Sequence, residues 1–183
     1  MAFTALQPAT PGVTMSLPDK LRQIKLLLLD FDGVLTDGYV FVNQDGGETV
    51  RCSRRDSLGI LMLKKAGIEV GIVSKETSSV VAARCKKMGV PYWQGIKDGE
   101  GKREIVERIA DEKSVTLSQV AFIGDDVNDQ LAMQLVGIAI AVADAHPQVQ
   151  KIAHYVTKAP GGHHAVREIC ELILKAKSIE PTY

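Results

Sequence analysis

Short apolar runs alternate with helix-like segments along most of the chain. The runs at residues 26–29, 70–73 and 120–123 contain no charged residue, which is typical of strands buried on both faces of a sheet. The segments between them space their apolar residues as on one face of a helix. Strands that alternate with helices in this way predict a parallel sheet with helices on both faces, and hence an α/β, Rossmann-like domain.

The predicted elements begin close to residue 21. Residues 39–42 and 48–52 flank a Gln-Asp-Gly-Gly turn cluster, so a small β-hairpin is predicted over about 38–52. The other predicted strands are 24–29, 70–73, 91–93, 120–123 and 138–142, and the predicted helices are 58–65, 78–88, 102–111, 127–136, 147–153 and 165–177.

Residues 1–20 are predicted to be a flexible leader. Residues 1–18 hold three prolines and no charged residue, and they lack the basic start and the long apolar stretch of a signal peptide. We expect residues 21–178 to form one domain, which a length of 183 residues allows.

Composition excludes several classes of protein. The 22 basic and 22 acidic residues balance to a formal net charge of zero, which argues against nucleic-acid binding through bulk positive charge. No apolar run approaches the roughly 18–20 residues of a membrane span. Three scattered cysteines form no CxxC pair, so neither a disulfide framework nor a zinc site is indicated. The expected location is the cytoplasm, without membrane or nucleic-acid partners.

Acidic residues follow the strongest predicted strands. Asp-Phe-Asp-Gly occupies 30–33, Ser-Lys-Glu occupies 74–76, and Gly-Asp-Asp-Val-Asn-Asp occupies 124–129. Ligands of an open parallel sheet bind beyond the carboxyl ends of its strands, so one crevice would collect these groups. Crowded carboxylates are unfavourable unless a cation shares them, and an all-oxygen set favours Mg²⁺ over Zn²⁺. Carboxylates with Mg²⁺ suit a phosphate-bearing substrate, and one of them can attack phosphorus.

Each motif by itself has an ordinary structural explanation. An aspartate at a strand end is most often a helix cap or a turn residue. The segment at 30–33 lacks the later acidic positions of a calcium loop, and 124–129 alone would serve as a capped turn. Their occurrence together, each after its own apolar run, favours a functional site.

Residues 30–38 (Asp-Phe-Asp-Gly-Val-Leu-Thr-Asp-Gly) resemble the first motif of the haloacid dehalogenase-like phosphohydrolases. Ser74 resembles the second motif and 124–129 the fourth, in the same order, over residues 21–177. The resemblance implies that Asp30 is the nucleophile that forms an aspartyl-phosphate, that Asp32 is the general acid and base, and that Ser74 binds the phosphoryl oxygens. It also implies an Mg²⁺ site whose ligands are Asp30, the backbone carbonyl of Asp32, and Asp125. Asp126 and Asp129 would support these ligands from outside the metal shell.

The third motif of this family is a lysine that binds phosphate. Counting back from Phe122 through the preceding helix selects Lys102, at a helix start that favours anions. Counting forward from the Gln-Gly pair at 94–95 instead reaches Gly99, so Lys97 is kept as the alternative.

A short hairpin stands where other members insert a cap domain. Residues 56–60 and 160–168 resemble the capless phosphatases of 3-deoxy-2-keto sugar acids, although His164 stands where relatives often have Gly. The resemblance implies hydrolysis of 3-deoxy-D-manno-octulosonate 8-phosphate, a lipopolysaccharide precursor. It also implies a homotetramer with shared active sites, in which a neighbouring subunit excludes water.

Other functions remain open at this point. Glu76, with Arg84 and Lys87 in the next helix, resembles phosphatases of nine-carbon acids (2-keto-3-deoxynononate or N-acylneuraminate 9-phosphate), where a basic residue would pair with the substrate carboxylate. Gly33 and Asp56 complete the residues predicted to bind substrate. A non-catalytic oligomerisation module of the same family is the alternative from another class, and a phosphomutase is disfavoured by the missing cap.

Overall fold

The computed structural model describes residues 15–97 and 100–181. Six strands form a parallel sheet in the order β5-β4-β1-β6-β7-β8, which confirms the predicted α/β fold. Their bounds are β1 Leu26–Leu29, β4 Glu69–Val73, β5 Tyr92–Trp93, β6 Val120–Gly124, β7 Ile138–Ala141 and β8 Tyr155–Val156; a separate antiparallel hairpin consists of β2 Thr36–Val42 and β3 Glu48–Cys52.

Strand β1 lies in the middle of the sheet because all four of its leucines are buried. Leu29, its last residue, pairs with Ile72 on β4 and with Ile123 on β6. The three strands therefore end at the same edge of the sheet. This register brings together the polar residues that follow each strand, as the sequence predicts.

The helices pack in two groups, one around α2 and α7 and the other around α5. The first group contains α1 Leu17–Gln23, α2 Arg54–Lys65, α3 Ser79–Met88 and α7 Ala165–Ala176, and the second contains α4 Glu100–Glu112, α5 Gln130–Leu135 and α6 Pro147–Ile152. Apolar residues of the sheet and of both groups form one core.

Part of the predicted leader is helical. Ser16 caps α1 by accepting a hydrogen bond from the Asp19 backbone N–H, and Leu21 is buried where α1 packs on α7. The prediction failed for 17–20 because these residues carry no apolar periodicity of their own. Residues 1–14 of the predicted leader lie outside the described residues.

Two further elements differ from the prediction. The predicted helix 127–136 is a 3₁₀ turn at Val127–Asp129 followed by α5, because Asp129 Oδ2 accepts from the backbone of Asp125 at 3.0 Å and of Asp126 at 3.4 Å and tightens the chain there. Strand β8 has only two residues, which is too short to produce a pattern in the sequence.

The backbone of His164 is left-handed, with φ 81°, at the residue that precedes α7. An L side chain costs about 1–2 kcal/mol there, and glycine relieves this strain at an entropic cost of about 0.4–1 kcal/mol in the unfolded chain. We expect His164→Gly to raise the free energy of unfolding by about 0.5–1 kcal/mol, measured by urea denaturation. His164→Ala keeps the strain and is the control; a gain of the same size in both variants would refute the explanation.

None of the helices in the part of the chain that the structure describes has the length and apolar character needed to cross a membrane.

Candidate active site

A cavity of about 630 Å³ opens at the edge of the sheet where β1, β4 and β6 end. Its walls come from the three segments that follow these strands and from the start of the hairpin. The lining residues are Asp30, Asp32, Gly33, Gly38, Ser74, Lys75, Glu76, Asp125, Asp126, Val127 and Asn128.

Asp30 is the buried carboxylate at the floor of this cavity, 5% exposed. Its Oδ1 accepts from the Phe31 N–H at 2.7 Å, and its Oδ2 lies 2.9 Å from Lys102 Nζ. Burial and the charges of Asp129 and Asp125 raise the pKa of Asp30 well above its usual range, against the opposing effect of Lys102. The side chain is thus fixed in position, and its negative charge needs a cation.

Lys102 joins two of the acidic residues. It is 1% exposed, and besides Asp30 its Nζ contacts Asp129 Oδ1 at 2.6 Å. Burial lowers the pKa of Lys102, but Asp30 and Asp129 outweigh burial and the pKa is raised overall, so the ammonium stays charged. Lys97, the alternative from the sequence, is exposed.

Asp125 also lines the cavity, with a carboxylate oxygen within 4.8 Å of one of Asp30. Gly33 has φ 76° and lies so close to Asp125 that any side chain at position 33 would overlap the carboxylate, which explains the glycine there. Burial and the charge of Asp129 raise the pKa of Asp125 to about 7. The pKa of this carboxylate thus lies close to neutral pH even though the Lys102 ammonium lowers it.

Carboxylate oxygens of Asp30, Asp125 and Asp129 lie within 4.8 Å of one another and could hold a metal ion. The sequence prediction had Asp129 in a supporting position. Both of its oxygens already accept hydrogen bonds, Oδ1 from Lys102 and Oδ2 from the Asp125 N–H, so it is suited to orient the other groups. Asp126 is exposed and caps the 3₁₀ turn through the Val127 N–H.

Asp32 is half-buried beside Asp30. Burial and the charge of Glu76 raise its pKa, as a general acid requires. Thr36 holds this segment: its buried hydroxyl lies 3.4 Å from Asp32 Oδ1 and accepts from Gly33 N–H and Gly38 N–H at 3.1 Å each. Thr36 was not predicted, although a threonine between two glycines of an acidic loop is a usable signal.

Ser74 follows β4 and is 1% exposed. Its N–H donates to Trp93 O at 2.8 Å, and its Oγ accepts from Glu76 N–H at 3.1 Å. Glu76 and Gly33, two of the predicted substrate-binding residues, line the cavity. Asn128 also lines it, with a buried Oδ1 that has no hydrogen-bond partner, and it was not assigned a role from the sequence.

Three predicted substrate-binding residues lie elsewhere. Asp56 is fully buried in α2, where its Oδ1 accepts from the Arg167 N–H at 2.8 Å and caps α7. Arg84 donates to Ser53 O at 3.1 Å and to Ser57 Oγ. Arg84 and Lys87 line a second cavity between α2 and α3, of about 330 Å³. Asp56 was predicted from the resemblance of residues 56–60, but it does not line the active-site cavity, because α2 turns its side chain toward α7.

A buried carboxylate held by a lysine, a second carboxylate opposite it and a serine hydroxyl can together bind a cation and a phosphoryl group.

Comparison with known proteins agrees with this chemistry. A family model described as haloacid dehalogenase-like hydrolase matches residues 53–168. The 3-deoxy-D-manno-octulosonate 8-phosphate phosphatase of Escherichia coli K12 is 36% identical over 159 residues, 86% of this chain and 83% of that protein.

Solved structures give the same result. The corresponding phosphatase of Yersinia pestis has a TM-score of 0.85 at 36% identity, over 88% of this chain and 86% of the other. The Moraxella catarrhalis phosphatase, solved with a magnesium ion, a phosphate ion and a KDO molecule, has a TM-score of 0.84 at 36% identity, over 88% and 91%. The chain therefore belongs to the haloacid dehalogenase-like hydrolases and is a phosphatase of that family.

Proposed function

We propose that this protein hydrolyses 3-deoxy-D-manno-octulosonate 8-phosphate in lipopolysaccharide precursor synthesis, in the cytoplasm. The observation that carries the proposal is the buried cluster in which Lys102 contacts both Asp30 and Asp129, close to the carboxylate of Asp125. The chain that carries this cluster matches phosphatases of this substrate over most of its length. The predicted domain, residues 21–178, would carry the whole site.

In the proposed reaction a carboxylate oxygen of Asp30 attacks phosphorus and the ester bond breaks. Asp32 gives its proton to the leaving alkoxide, then takes a proton from the water that hydrolyses the aspartyl-phosphate. Lys102 and Ser74 would bind the phosphoryl oxygens. Lys102 is preferred over Lys97 because its ammonium is already 2.9 Å from the nucleophile.

The site fits Mg²⁺ because its donors are all oxygens and because carboxylates outnumber the one buried ammonium. Asp30, the backbone carbonyl of Asp32 and Asp125 would hold the ion, with Asp126 and Asp129 in support. When bound, the ion offsets the charge of the phosphoryl group and of the carboxylates.

Mg²⁺ is expected to raise the melting temperature more at pH 8 than at pH 6. The pKa of Asp125 is raised to about 7, so its contribution to metal-free stability is full below its ordinary pKa and is lost as the pH rises through 7. Protons compete with the ion below that value and weaken its binding by about tenfold per pH unit. Thermal melting in EDTA and in Mg²⁺ measures both effects. An equal rise in melting temperature with Mg²⁺ at both pH values would contradict the assignment of Asp125 as a ligand. A rise in Asp125→Asn as large as that in the wild type would contradict it as well.

The hairpin is proposed to join four copies of the chain. Its β2 strand exposes apolar side chains, including Tyr39 at 76% and Phe41 at 70%, which is typical of an interaction surface. A neighbouring subunit would also close the open cavity against water. Sedimentation equilibrium measures the mass directly, and a monomer at micromolar concentration would be incompatible with shared active sites.

The positions of Glu76, Arg84 and Lys87 favour a nine-carbon acid phosphate as the second candidate substrate. Glu76 lines the cavity, and Arg84 and Lys87 share the second cavity with Arg54. In an assembly, this basic surface of one subunit could face the active site of the next and bind the substrate carboxylate.

The deciding experiment compares kcat/KM for the octulosonate 8-phosphate and for the 9-phosphates of the nononate and of N-acylneuraminate, with Mg²⁺. At least tenfold preference for the first is expected, equal to about 1.4 kcal/mol of transition-state binding. A reversed preference transfers the proposal to the nine-carbon acids, and Arg84→Ala should then raise KM. Absence of turnover with all three esters would favour the non-catalytic module.

A further inference from the structure

A chain of hydrogen bonds joins the hairpin to residues 160–164, the C-terminal loop. Arg51 Nη2 on β3 lies 2.7 Å from Asp37 Oδ2 on β2 and 2.9 Å from His163 Nε2. His163 Nδ1 lies 2.8 Å from Gly161 O. One guanidinium therefore connects both strands of the hairpin with the loop that precedes α7.

These contacts define the hydrogen-bonding role of each ring nitrogen of His163. A guanidinium can only donate hydrogen bonds, so Nε2 of His163 accepts from Arg51; a carbonyl can only accept, so Nδ1 donates to Gly161. Together the two partners fit the tautomer that carries its proton on Nδ1. The two nitrogens have different partners, and different substitutions can therefore remove one contact at a time.

The C-terminal loop rests directly on residues 30–35, the first acidic loop. A side chain at Gly161 would overlap Gly33 O, and Gly162 N–H donates to Val34 O at 3.0 Å. Gly33 in turn has no room for a side chain beside the Asp125 carboxylate. Because these contacts join backbone to backbone, a displacement of the C-terminal loop would move the segment that carries Asp32.

We infer that Arg51 and His163 are positioning residues that hold the first acidic loop in place for hydrolysis from outside the active site. Neither residue lines the active-site cavity. Arg51 lies on the same hairpin that exposes Tyr39 and Phe41. The inference rests on the proposed function in one respect, the roles of Asp30 and Asp32 in hydrolysis.

Other hydrogen bonds of the C-terminal loop limit how far kcat should fall when Arg51 or His163 is replaced. Gly161 N–H also donates to Asp144 Oδ1 at 2.9 Å, so cutting the contact between Arg51 and His163 loosens the loop without releasing it. Arg51 is largely exposed, which limits the strength of its bonds. Small displacements of catalytic groups nevertheless lower kcat.

The test measures kcat and KM for p-nitrophenyl phosphate, whose hydrolysis needs no sugar contact. His163→Asn keeps a donor for Gly161 O but removes the acceptor for Arg51, whereas His163→Gln presents an oxygen to Arg51. We expect Arg51→Ala and His163→Asn each to lower kcat by about threefold to tenfold with KM within about twofold. The double variant should be no worse than either, and His163→Gln should keep more than about half of kcat. Arg108→Ala is the control, since Arg108 pairs with Glu112 on its own helix.

Amide hydrogen exchange of residues 30–38 is the second readout. Arg51→Ala and His163→Asn should speed exchange there by about threefold or more, since the loop opens locally more often. Unchanged kcat and exchange in both variants, or additive losses in the double variant, would overturn the inference. If the wild type hydrolyses no phosphate ester, the proposed function fails, and the exchange measurement still decides whether Arg51 and His163 hold the loop.

Discussion

Replacing Asp30 by Asn is expected to lower kcat by about 10⁴-fold or more, since loss of a nucleophile removes the covalent route. The amide is nearly isosteric and can still accept from the Phe31 N–H, a bond of 2.7 Å in the wild type. Removing one of several crowded negative charges also relieves repulsion with Asp125 and Asp129. The fold should therefore persist while phosphate release stops.

Steady-state phosphate release with Mg²⁺ measures this loss, and the melting temperature and the circular dichroism spectrum report the fold. Asp111→Asn is the matched control, because Asp111 is exposed on α4 and should leave kcat unchanged. Retention of more than about a tenth of wild-type kcat in Asp30→Asn would rule out Asp30 as the nucleophile.

Replacing Lys102 by Met is expected to damage both activity and stability. The ammonium contacts Asp30 at 2.9 Å and Asp129 at 2.6 Å inside the protein, and removing one partner of a buried ion pair costs about 3–5 kcal/mol. Loss of one charged group that stabilises the transition state costs about 10²–10³-fold in kcat. The free energy of unfolding, measured in EDTA at pH 8, should fall accordingly.

The loss of stability should be smaller at pH 5.5. Burial and neighbouring carboxylates raise the pKa of Asp30 well above its usual range, so at low pH a proton replaces the missing ammonium. Lys97→Met is the control, because Lys97 is exposed. A larger kcat loss in Lys97→Met than in Lys102→Met would transfer the phosphate-binding role to Lys97.

The sheet could be predicted because its signals are local. Four consecutive leucines at 26–29, and the acidic residues that follow β1 and β6, identify the strands and the edge at which the site lies. The two-residue strand β8 and the helix α1 escaped prediction, since β8 depends on pairing with β7 and α1 on packing against α7. Neither contact produces a periodic pattern.

The contacts across the site were harder to predict. Lys97 and Lys102 are five positions apart in the sequence, and Lys102 is buried only because of how α4 packs, whereas Lys97 is exposed. Arg84 and Asp56 lie on helices whose buried faces are set by their neighbours. Asp56 meets the start of α7, which is 111 residues away from it in sequence.

The sequence by itself determined the α/β fold, the buried strand that contains residues 26–29 and the presence of acidic groups after three buried strands, because apolar runs and strand ends are properties of short segments. Only the tertiary structure decided that Asp129 holds Lys102 against Asp30 and that Gly161 rests on Gly33. Such contacts join segments far apart in the chain, and their geometry depends on how the whole sheet and its helices pack.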